Sequence, residues 1–272
     1  MEWLDALILG IVQGLTEYLP VSSSGHLEIF KEILGIDLPA DENLQFDVIV
    51  HAATVCSTIV VLWPMFRDLC KSFFTFKRDD NFYYVCKILV SCIPVGIVGV
   101  FFKSYVEQIF GSGLMVVGIC LCVTAALLLF AHLSDIRANR MVAARTGHDI
   151  TWWDAIVIGI AQAVAVLPGL SRSGTTIATG IMLGDRRDKV ASFSFLMVII
   201  PILGEMLLDF KDMMEPGYAA STGALPLVVG FIAAFAVGCA ACAWMLNIVR
   251  KGKLWWFAVY CVIMGVVCML WQ

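Results

Sequence analysis

Charged side chains are scarce in this chain of 272 residues, of which Asp, Glu, Lys and Arg make up 15%. Soluble domains usually contain about 25% charged residues. Hydrophobic residues make up 60% of the chain, and the mean hydropathy is +0.89. No segment is long and polar enough for a soluble domain, and a pI of about 5.5 leaves no basic surface for nucleic acid. The composition therefore indicates a polytopic membrane protein.

The chain also lacks the features of a secreted protein. Its first three residues include no Lys or Arg, and Gln13 and Glu17 interrupt the apolar segment that follows, so a cleaved signal peptide is not expected. Nearly all of the ten cysteines fall inside apolar stretches, where they act as small hydrophobic residues. Cys239 and Cys242 form a CxxC pair without a histidine nearby. We therefore predict neither a disulfide framework nor a metal or redox site at these cysteines.

Six apolar stretches are long enough to cross a bilayer as helices, which takes about 20 residues. This pattern predicts an all-α membrane protein that forms a single polytopic domain over residues 1–272, with internal halves of about 1–133 and 134–272. The predicted spans are 46–66, 83–102, 114–133, 190–208, 224–249 and 254–271.

Two further segments are nearly the same in sequence. One is DALILGIVQGLTEYLPVSSSGH, from Asp5 to His26, and the other is DAIVIGIAQAVAVLPGLSRSG, from Asp154 to Gly174. Both run from an apolar segment with one glutamine into a proline and then a Ser/Gly-rich break. Six residue pairs align at one offset, whereas Pro20 and Pro168 differ by one position. The aligned pairs are Asp5/Asp154, Gly10/Gly159, Gln13/Gln162, Ser22/Ser171, Ser24/Ser173 and Gly25/Gly174.

Each repeat is better explained as a re-entrant hairpin than as a full span. Pro, Ser and Gly interrupt each repeat at about the depth of the membrane centre, where non-helical backbone is tolerated only inside protein or beside a wet cavity. We therefore predict helix–break–helix hairpins over residues 3–34 and 151–184, related as an inverted-topology repeat. In such repeats the broken helices meet near the midplane, and their N-termini direct positive dipoles at an anion.

The lysines and arginines agree with this topology. It places thirteen basic residues on one face and three, namely Lys31, Lys103 and Lys211, on the other, so the rich face is predicted to be cytoplasmic. Met1 and Gln272 would then be extracytoplasmic, and the first hairpin would open outward. The thirteen are Arg67, Lys71, Lys77, Arg78, Arg137, Arg140, Arg145, Arg186, Arg187, Lys189, Arg250, Lys251 and Lys253.

The chemistry-bearing residues lie in the two repeats. Glu17 is four residues from Gln13, on one helix face, and a carboxylate near the membrane interior indicates a functional site; the alternative is a capping role at the interface. The serines before His26 stand where a helix N-terminus could hold a phosphate, although a simple cap is the commoner role. Arg172 has no acidic neighbour in sequence, and its planar fork suits a phosphate. Together these residues indicate phosphoryl chemistry on a lipid-borne group.

The strings QGLTEYLPVSSSGH and PGLSRSG resemble the two signature motifs of the undecaprenyl-pyrophosphate phosphatase family, the membrane enzymes associated with bacitracin resistance. The resemblance covers essentially the whole chain. It implies hydrolysis of undecaprenyl pyrophosphate to the monophosphate and inorganic phosphate, which recycles the lipid carrier for cell-wall synthesis. It also implies a location in the bacterial cytoplasmic (inner) membrane, and the topology predicted above makes the active site open to the extracytoplasmic side.

The resemblance also implies roles for individual residues and a divalent cation, Mg²⁺ or Ca²⁺. Gln13 stands where the family has Glu or Gln, and its neutral amide is a weaker ligand for a hard cation than a carboxylate; a second carboxylate would have to come from elsewhere. The nucleophile is Ser23 or His26, and the sequence leaves both open. The implied residues are catalytic Glu17, Ser23, His26 and Arg172; substrate-binding Ser22, Ser24, Gly25, Ser171, Ser173, Gly174 and Thr175; and metal-binding Glu17 and Gln13.

Two other classes of protein fit parts of the pattern. An inverted repeat of broken helices is also transporter architecture, so the chain could flip a lipid phosphate or carry an anion. An intramembrane serine hydrolase could use Ser23 and His26, but it has no evident use for Arg172. The partners expected are the lipid pyrophosphate, membrane lipid and, as an open alternative, a second copy of the chain in a homodimer. No nucleic acid is expected.

Overall fold

The computed structural model describes residues 1–102, 105, 113–141, 147–214 and 222–271, which form helices joined by short connections. Lys103, Arg145 and Gln272, which entered the prediction of topology, lie outside these ranges. The helices are α1 (Trp3–Thr16), α2 (Ser23–Leu34), α3 (Ala40–Val61), α4 (Trp63–Phe74), α5 (Asp80–Phe101), α6 (Leu114–Met141), α7 (Trp152–Val164), α8 (Arg172–Leu183), α9 (Arg187–Met197), α10 (Ile199–Met213), α11 (Ala224–Arg250) and α12 (Trp255–Leu270).

Five helical segments of the described chain are long and apolar enough to cross a membrane, and they coincide with five of the six predicted spans. The sixth, 254–271, is the 16-residue helix α12, which is only about 24 Å long at 1.5 Å per residue. The structure therefore bears out a multi-pass helical membrane protein, but five rather than six helices have the full length. The five are Ala40–Val61, Asp80–Phe101, Leu114–Ser134, Arg187–Met213 and Ala224–Arg250.

Both repeats fold as two helices separated by a break. In the second repeat, Thr151 and Asp154 form a capping box at the start of α7, with hydrogen bonds of 2.8 and 3.2 Å. In the first repeat, the Asp5 carboxylate accepts from the Glu2 backbone N–H at 3.2 Å. The next helices, α2 and α8, begin at the Ser/Gly-rich breaks, where the sequence predicts the start of the returning half-helices.

Glycines let the first helix of each repeat approach a long helix closely. A Cβ on Gly10 of α1 would lie 2.6 Å from the carbonyl oxygen of Gly230 in α11, and a Cβ on Gly159 of α7 would lie 2.8 Å from the Cα of Ser91 in α5. Such contacts leave no room for a side chain, as expected where membrane helices pack through small residues. The equivalent positions of the two repeats thus have the same role against different partner helices.

The two breaks meet inside the protein. The Ser173 hydroxyl donates to the Leu19 carbonyl at 3.2 Å. A Cβ on Gly174 would lie 3.0 Å from the Pro20 Cβ, and one on Gly25 would lie 3.2 Å from the Gly169 Cα. The packing of α1 on α11 and of α7 on α5 therefore brings the starts of α2 and α8 together, and this junction positions the site described next.

Candidate active site

A cleft lies at the junction of the two breaks, with about 390 Å³ of empty space that includes its opening to solvent. Glu17 lines it from the first repeat and Arg172 from the second, so the acidic and cationic residues that the sequence singles out share one space. Helices α3 and α9 close its sides with hydroxyl and aromatic groups. The other polar or aromatic residues of the lining are Tyr18, Thr54, Thr58, Gln162, Ser173, Thr176, Ser194 and Phe195.

Glu17 is held by hydrogen bonds from two other predicted site residues. Its Oε2 accepts from the Gln13 side-chain amide at 3.0 Å and from the Ser23 hydroxyl at 2.8 Å. Glu17 and Ser23 are both partly exposed, whereas Gln13 is fully buried. A carboxylate at this distance from a hydroxyl can take its proton during nucleophilic attack. The arrangement therefore suits Ser23 as a nucleophile and Glu17 as its base.

The same groups fit a divalent cation. The Gln13 amide nitrogen donates to Glu17. The oxygen of the same amide, Gln13 Oε1, is buried without a hydrogen-bond partner among the described residues. An unpartnered oxygen beside a carboxylate is a suitable ligand for Mg²⁺ or Ca²⁺, which bind oxygen atoms. Gln162, the equivalent of Gln13 in the second repeat, lines the cleft with neither of its side-chain polar atoms partnered in the described chain. Within the described chain, an unpartnered amide oxygen thus lies in the cleft lining, on Gln162, and another lies on Gln13, which is bonded to the lining residue Glu17.

Ser22 shapes the start of α2. Its hydroxyl accepts from the Gly25 backbone N–H at 3.3 Å, and its backbone adopts φ 71°, which is unusual for a residue other than glycine. Strained backbone of this kind is found at functional sites. Ser24 lies beside Ser22, with 3.4 Å between the two hydroxyl oxygens. The three consecutive serines therefore have different partners, and Ser23 is the one that reaches Glu17.

His26 is buried and lies against α12. Its Nδ1 is 2.8 Å from the Ser22 carbonyl oxygen and its Nε2 is 2.7 Å from the Tyr260 hydroxyl. The two rings are stacked, with centroids 5.6 Å apart. Both ring nitrogens thus lie at hydrogen-bond distance from groups other than Ser23 and Glu17, and neither His26 nor Ser23 is a lining residue of the cleft. This position suits a residue that holds α2 in place.

The second break repeats the capping of the first. The Ser171 hydroxyl accepts from the Gly174 backbone N–H at 3.1 Å, and the Ser171 N–H donates to Thr124 at 3.0 Å. Arg172 begins α8, so its guanidinium enters the cleft beside a helix N-terminus. The Thr175 hydroxyl is buried without a partner in the described chain, and the neighbouring Thr176 lines the cleft.

Comparison with known proteins decides the family. The family model described as "Bacitracin resistance protein BacA" matches residues 6–267. The chain belongs to the BacA family. A Bacteroides thetaiotaomicron protein named undecaprenyl-diphosphatase is 55% identical over 273 residues, which cover 100% of both chains. A protein of the same name from Bacteroides fragilis is 56% identical and covers 98% of this chain and 97% of its own. One from Halothermothrix orenii is 37% identical over 99% of this chain and 98% of its own.

Two charged residues of this BacA-family chain are absent from the predicted site. His51 of α3 lies within electrostatic range of Glu17 and Arg172, and also of Glu205 in α10. Glu205 is exposed on its helix. Both residues stand inside apolar predicted spans, where an ionisable residue indicates function, and that signal could have identified them. Glu205 is a candidate for the second carboxylate that Gln13 does not supply.

Proposed function

We propose that this protein hydrolyses undecaprenyl pyrophosphate to undecaprenyl phosphate and inorganic phosphate, and so recycles the lipid carrier for cell-wall synthesis. The observation that carries the proposal is the shared cleft, which Glu17 lines from the first repeat and Arg172 from the second, with the Ser23 hydroxyl hydrogen-bonded to Glu17. Family membership and the names of close relatives support the substrate. A polyanionic pyrophosphate headgroup requires cationic and N–H donors, which Arg172 and the starts of α2 and α8 provide.

The pyrophosphate headgroup of the substrate would bind in the cleft, and its isoprenyl tail would remain in the membrane. The Arg172 guanidinium can hold the terminal phosphate through two parallel hydrogen bonds, and the free N–H groups at the starts of α2 and α8 can donate to the remaining phosphate oxygens. The apolar faces of the long helices would hold the isoprenyl tail, so no separate lipid-binding domain is required. Ser22, Ser24, Ser171 and Ser173 shape the two helix starts that contact the phosphates.

The chemistry begins at Ser23. Its Oγ attacks the terminal phosphorus, Glu17 takes the hydroxyl proton, and the bond from that phosphorus to the bridging oxygen breaks, so that undecaprenyl phosphate leaves. Water then hydrolyses the Ser23 phosphate ester and releases inorganic phosphate. The 2.8 Å hydrogen bond to Glu17 supports Ser23 over His26, whose ring nitrogens face Ser22 and Tyr260. Arg172 stabilises the charge that develops on the transferred phosphoryl group.

Glu17 and Gln13 would hold a Mg²⁺ or Ca²⁺ ion. When bound, such a cation neutralises charge on the pyrophosphate oxygens. The buried, unpartnered Gln13 Oε1 supports this assignment. Glu17 would then both bind the cation and accept the proton of Ser23. Because its carboxylate has two oxygens, a different oxygen can take each role.

Release of phosphate tests the proposed reaction. Protein purified in detergent should liberate inorganic phosphate from undecaprenyl pyrophosphate with Mg²⁺ or Ca²⁺ present, and a chelator should stop the reaction. A lipid flippase moves its substrate without breaking it, and therefore liberates no phosphate. Absence of release with every cation, together with transfer of lipid phosphate across vesicles, would replace the proposed reaction with transport.

We expect Glu17→Gln to lower turnover about 10²- to 10⁴-fold, the usual contribution of a general base, while the protein still inserts into the membrane. The amide cannot accept the Ser23 proton and ligates a cation more weakly. The matched control is Glu32→Gln, which alters an exposed carboxylate of α2. Turnover that recovers fully at high cation concentration would make Glu17 a ligand and not the base.

The topology proposed for this function has α12 as a sixth crossing and both repeats as re-entrant hairpins, with the two halves inverted in a single domain. The protein would lie in the bacterial cytoplasmic membrane, with the cleft open to the outside. The many basic residues of the loops after α4, α8 and α11 support this orientation. Tryptophans at both ends of α12, such as Trp255 and Trp271, support a crossing by a short helix.

A reporter fusion measures the orientation directly. A reporter that is active only outside the cytoplasm should be active when it is joined after Gln272, because the basic loops would hold the opposite face inside. The same reporter inserted after Lys77, in the basic loop between α4 and α5, should be inactive. The reverse pattern would place the cleft on the cytoplasmic side.

A further inference from the structure

A second cluster of potential ligands lies outside the cleft, where the two ends of the second repeat meet. His148 precedes α7, Asp154 is in the first turn of α7, and Asp185 follows the end of α8. The His148 Nδ1 is 3.1 Å from the Asp185 Oδ1 and 3.7 Å from the Asp154 Oδ2. One ligand atom from each of the three residues lies within 4.8 Å of the others. The proposed reaction uses none of them.

The backbone holds these three side chains in place. The His148 N–H donates to the Gly184 carbonyl at 3.2 Å, and the Arg186 N–H donates to the His148 carbonyl at 2.9 Å, so the two loops are paired around Asp185. Asp154 is fixed by the capping box, in which its Oδ2 accepts from the Thr151 N–H at 2.8 Å. The cluster is therefore preformed and does not depend on a mobile loop.

Asp185 is a buried carboxylate whose close contact with the His148 Nδ1, at 3.1 Å, does not form a hydrogen bond. Its side chain is 0% exposed, and neither of its oxygens has a hydrogen-bond partner among the described residues. The adjacent Arg186 guanidinium is directed instead to Asp149 and Asp188, at 3.8 and 3.2 Å. A buried carboxylate in this position calls for a cation.

We propose that His148, Asp154 and Asp185 bind a divalent transition-metal ion of the Zn²⁺ class. One imidazole and two carboxylates, with water in a fourth position, is a ligand set for zinc-like ions, whereas Mg²⁺ and Ca²⁺ take oxygen ligands. Bonds of about 2.0–2.2 Å in a tetrahedral site place ligand atoms about 3.3–3.6 Å apart, and the observed 3.1 and 3.7 Å bracket this spacing. His148 has a 51% exposed side chain, which gives an ion a route from solvent.

The ion would clamp the start of α7 to the end of α8. These helices carry the break that begins at Ala165 and ends at Arg172. Closing the open end of this hairpin with a metal would restrict how far its two helices can separate, and would therefore hold Arg172 in the cleft. The site would be structural, because none of its three residues lines the cleft.

Direct titration of metal into purified protein tests the site. The parent protein is the full chain with Glu17→Gln, because this substitution weakens the cation site proposed in the cleft. The parent is first stripped of metal with a chelator. It is then titrated with Zn²⁺ by calorimetry and with Co²⁺ by visible absorption. We expect one ion per chain and the intense absorption of tetrahedral Co²⁺. Asp185→Asn and His148→Gln should each weaken binding at least about 100-fold, because loss of even an outer-shell partner costs 10–100-fold. The control Asp149→Asn, an exposed carboxylate beside the site, should bind as the parent does.

The competing explanation is an ion pair in which protonated His148 alone balances the two carboxylates. It predicts no Zn²⁺ binding that depends on these residues, and a thermal midpoint that is unaffected by the ion. Our proposal predicts that Zn²⁺ raises the midpoint of the parent and of Asp149→Asn but not that of His148→Gln, which alters an exposed side chain and should fold even if Asp185→Asn does not. Equal binding by the parent and His148→Gln would overturn the proposal, as would absence of binding by the parent.

Discussion

Ser23→Ala is expected to lower turnover by a factor of about 10³ or more, the scale of loss for a missing nucleophile, while the variant still binds the lipid pyrophosphate. The Ser23 hydroxyl is the one of three consecutive serines that donates to Glu17. Ser22→Ala and Ser24→Ala are matched controls with the same chemical change. They should have smaller losses, because the Ser22 hydroxyl caps α2 and the Ser24 hydroxyl lies beside it.

A covalent intermediate provides an independent measurement of the same prediction. A phosphate trapped on Ser23 after rapid acid quench would establish that its oxygen forms the bond to phosphorus. If Ser23→Ala keeps a few per cent of activity or more, Ser23 only binds phosphate. The trapped phosphate should then be sought on His26, which would have to leave its contacts with Ser22 and Tyr260 to react.

Arg172→Lys is expected to lower turnover about 100-fold or more, although the positive charge is retained. An ammonium group is a point charge and cannot replace the planar fork that binds two phosphate oxygens at once, and loss of one oriented donor to a transition state costs about 10²–10³ in rate. Steady-state phosphate release measures the loss. The control is Arg67→Lys, at an exposed residue of α4 whose ion pair with Asp68 lies outside the cleft.

Near wild-type turnover in Arg172→Lys would remove the bidentate contact from the mechanism. If the Michaelis constant rises while the maximal rate is unchanged, Arg172 binds the ground state and the transition state equally. Equal losses of turnover in Arg172→Lys and Arg67→Lys would indicate that the substitutions impair insertion or folding. The inserted and folded fraction of each sample should then be lower than that of the wild type.

The first repeat could be interpreted closely from the sequence because its signals are local. A proline followed by three serines favours the end of one helix and the start of another, so the break after Glu17 and the new helix at Ser23 agree with local backbone chemistry. The four-residue spacing of Gln13 and Glu17 likewise predicts their contact, which the structure shows at 3.0 Å. The short helix α12 was less predictable, because its hydrophobic composition matches that of a full span and only its 16-residue length differs.

The sequence by itself determined the helical class, the two broken repeats and the acidic and cationic residues, because hydrophobic runs and helix-stopping residues act over a few positions. Tertiary structure decided which of these residues meet. His26 contacts Tyr260 of α12, distant in the chain, and His51 approaches the cleft residues only because α3 packs beside the two breaks. Asp185, which follows the end of α8, meets His148 and Asp154 because α7 and α8 pack side by side. Contacts between distant parts of a chain depend on how whole helices pack, and the short patterns that form those helices do not specify that packing.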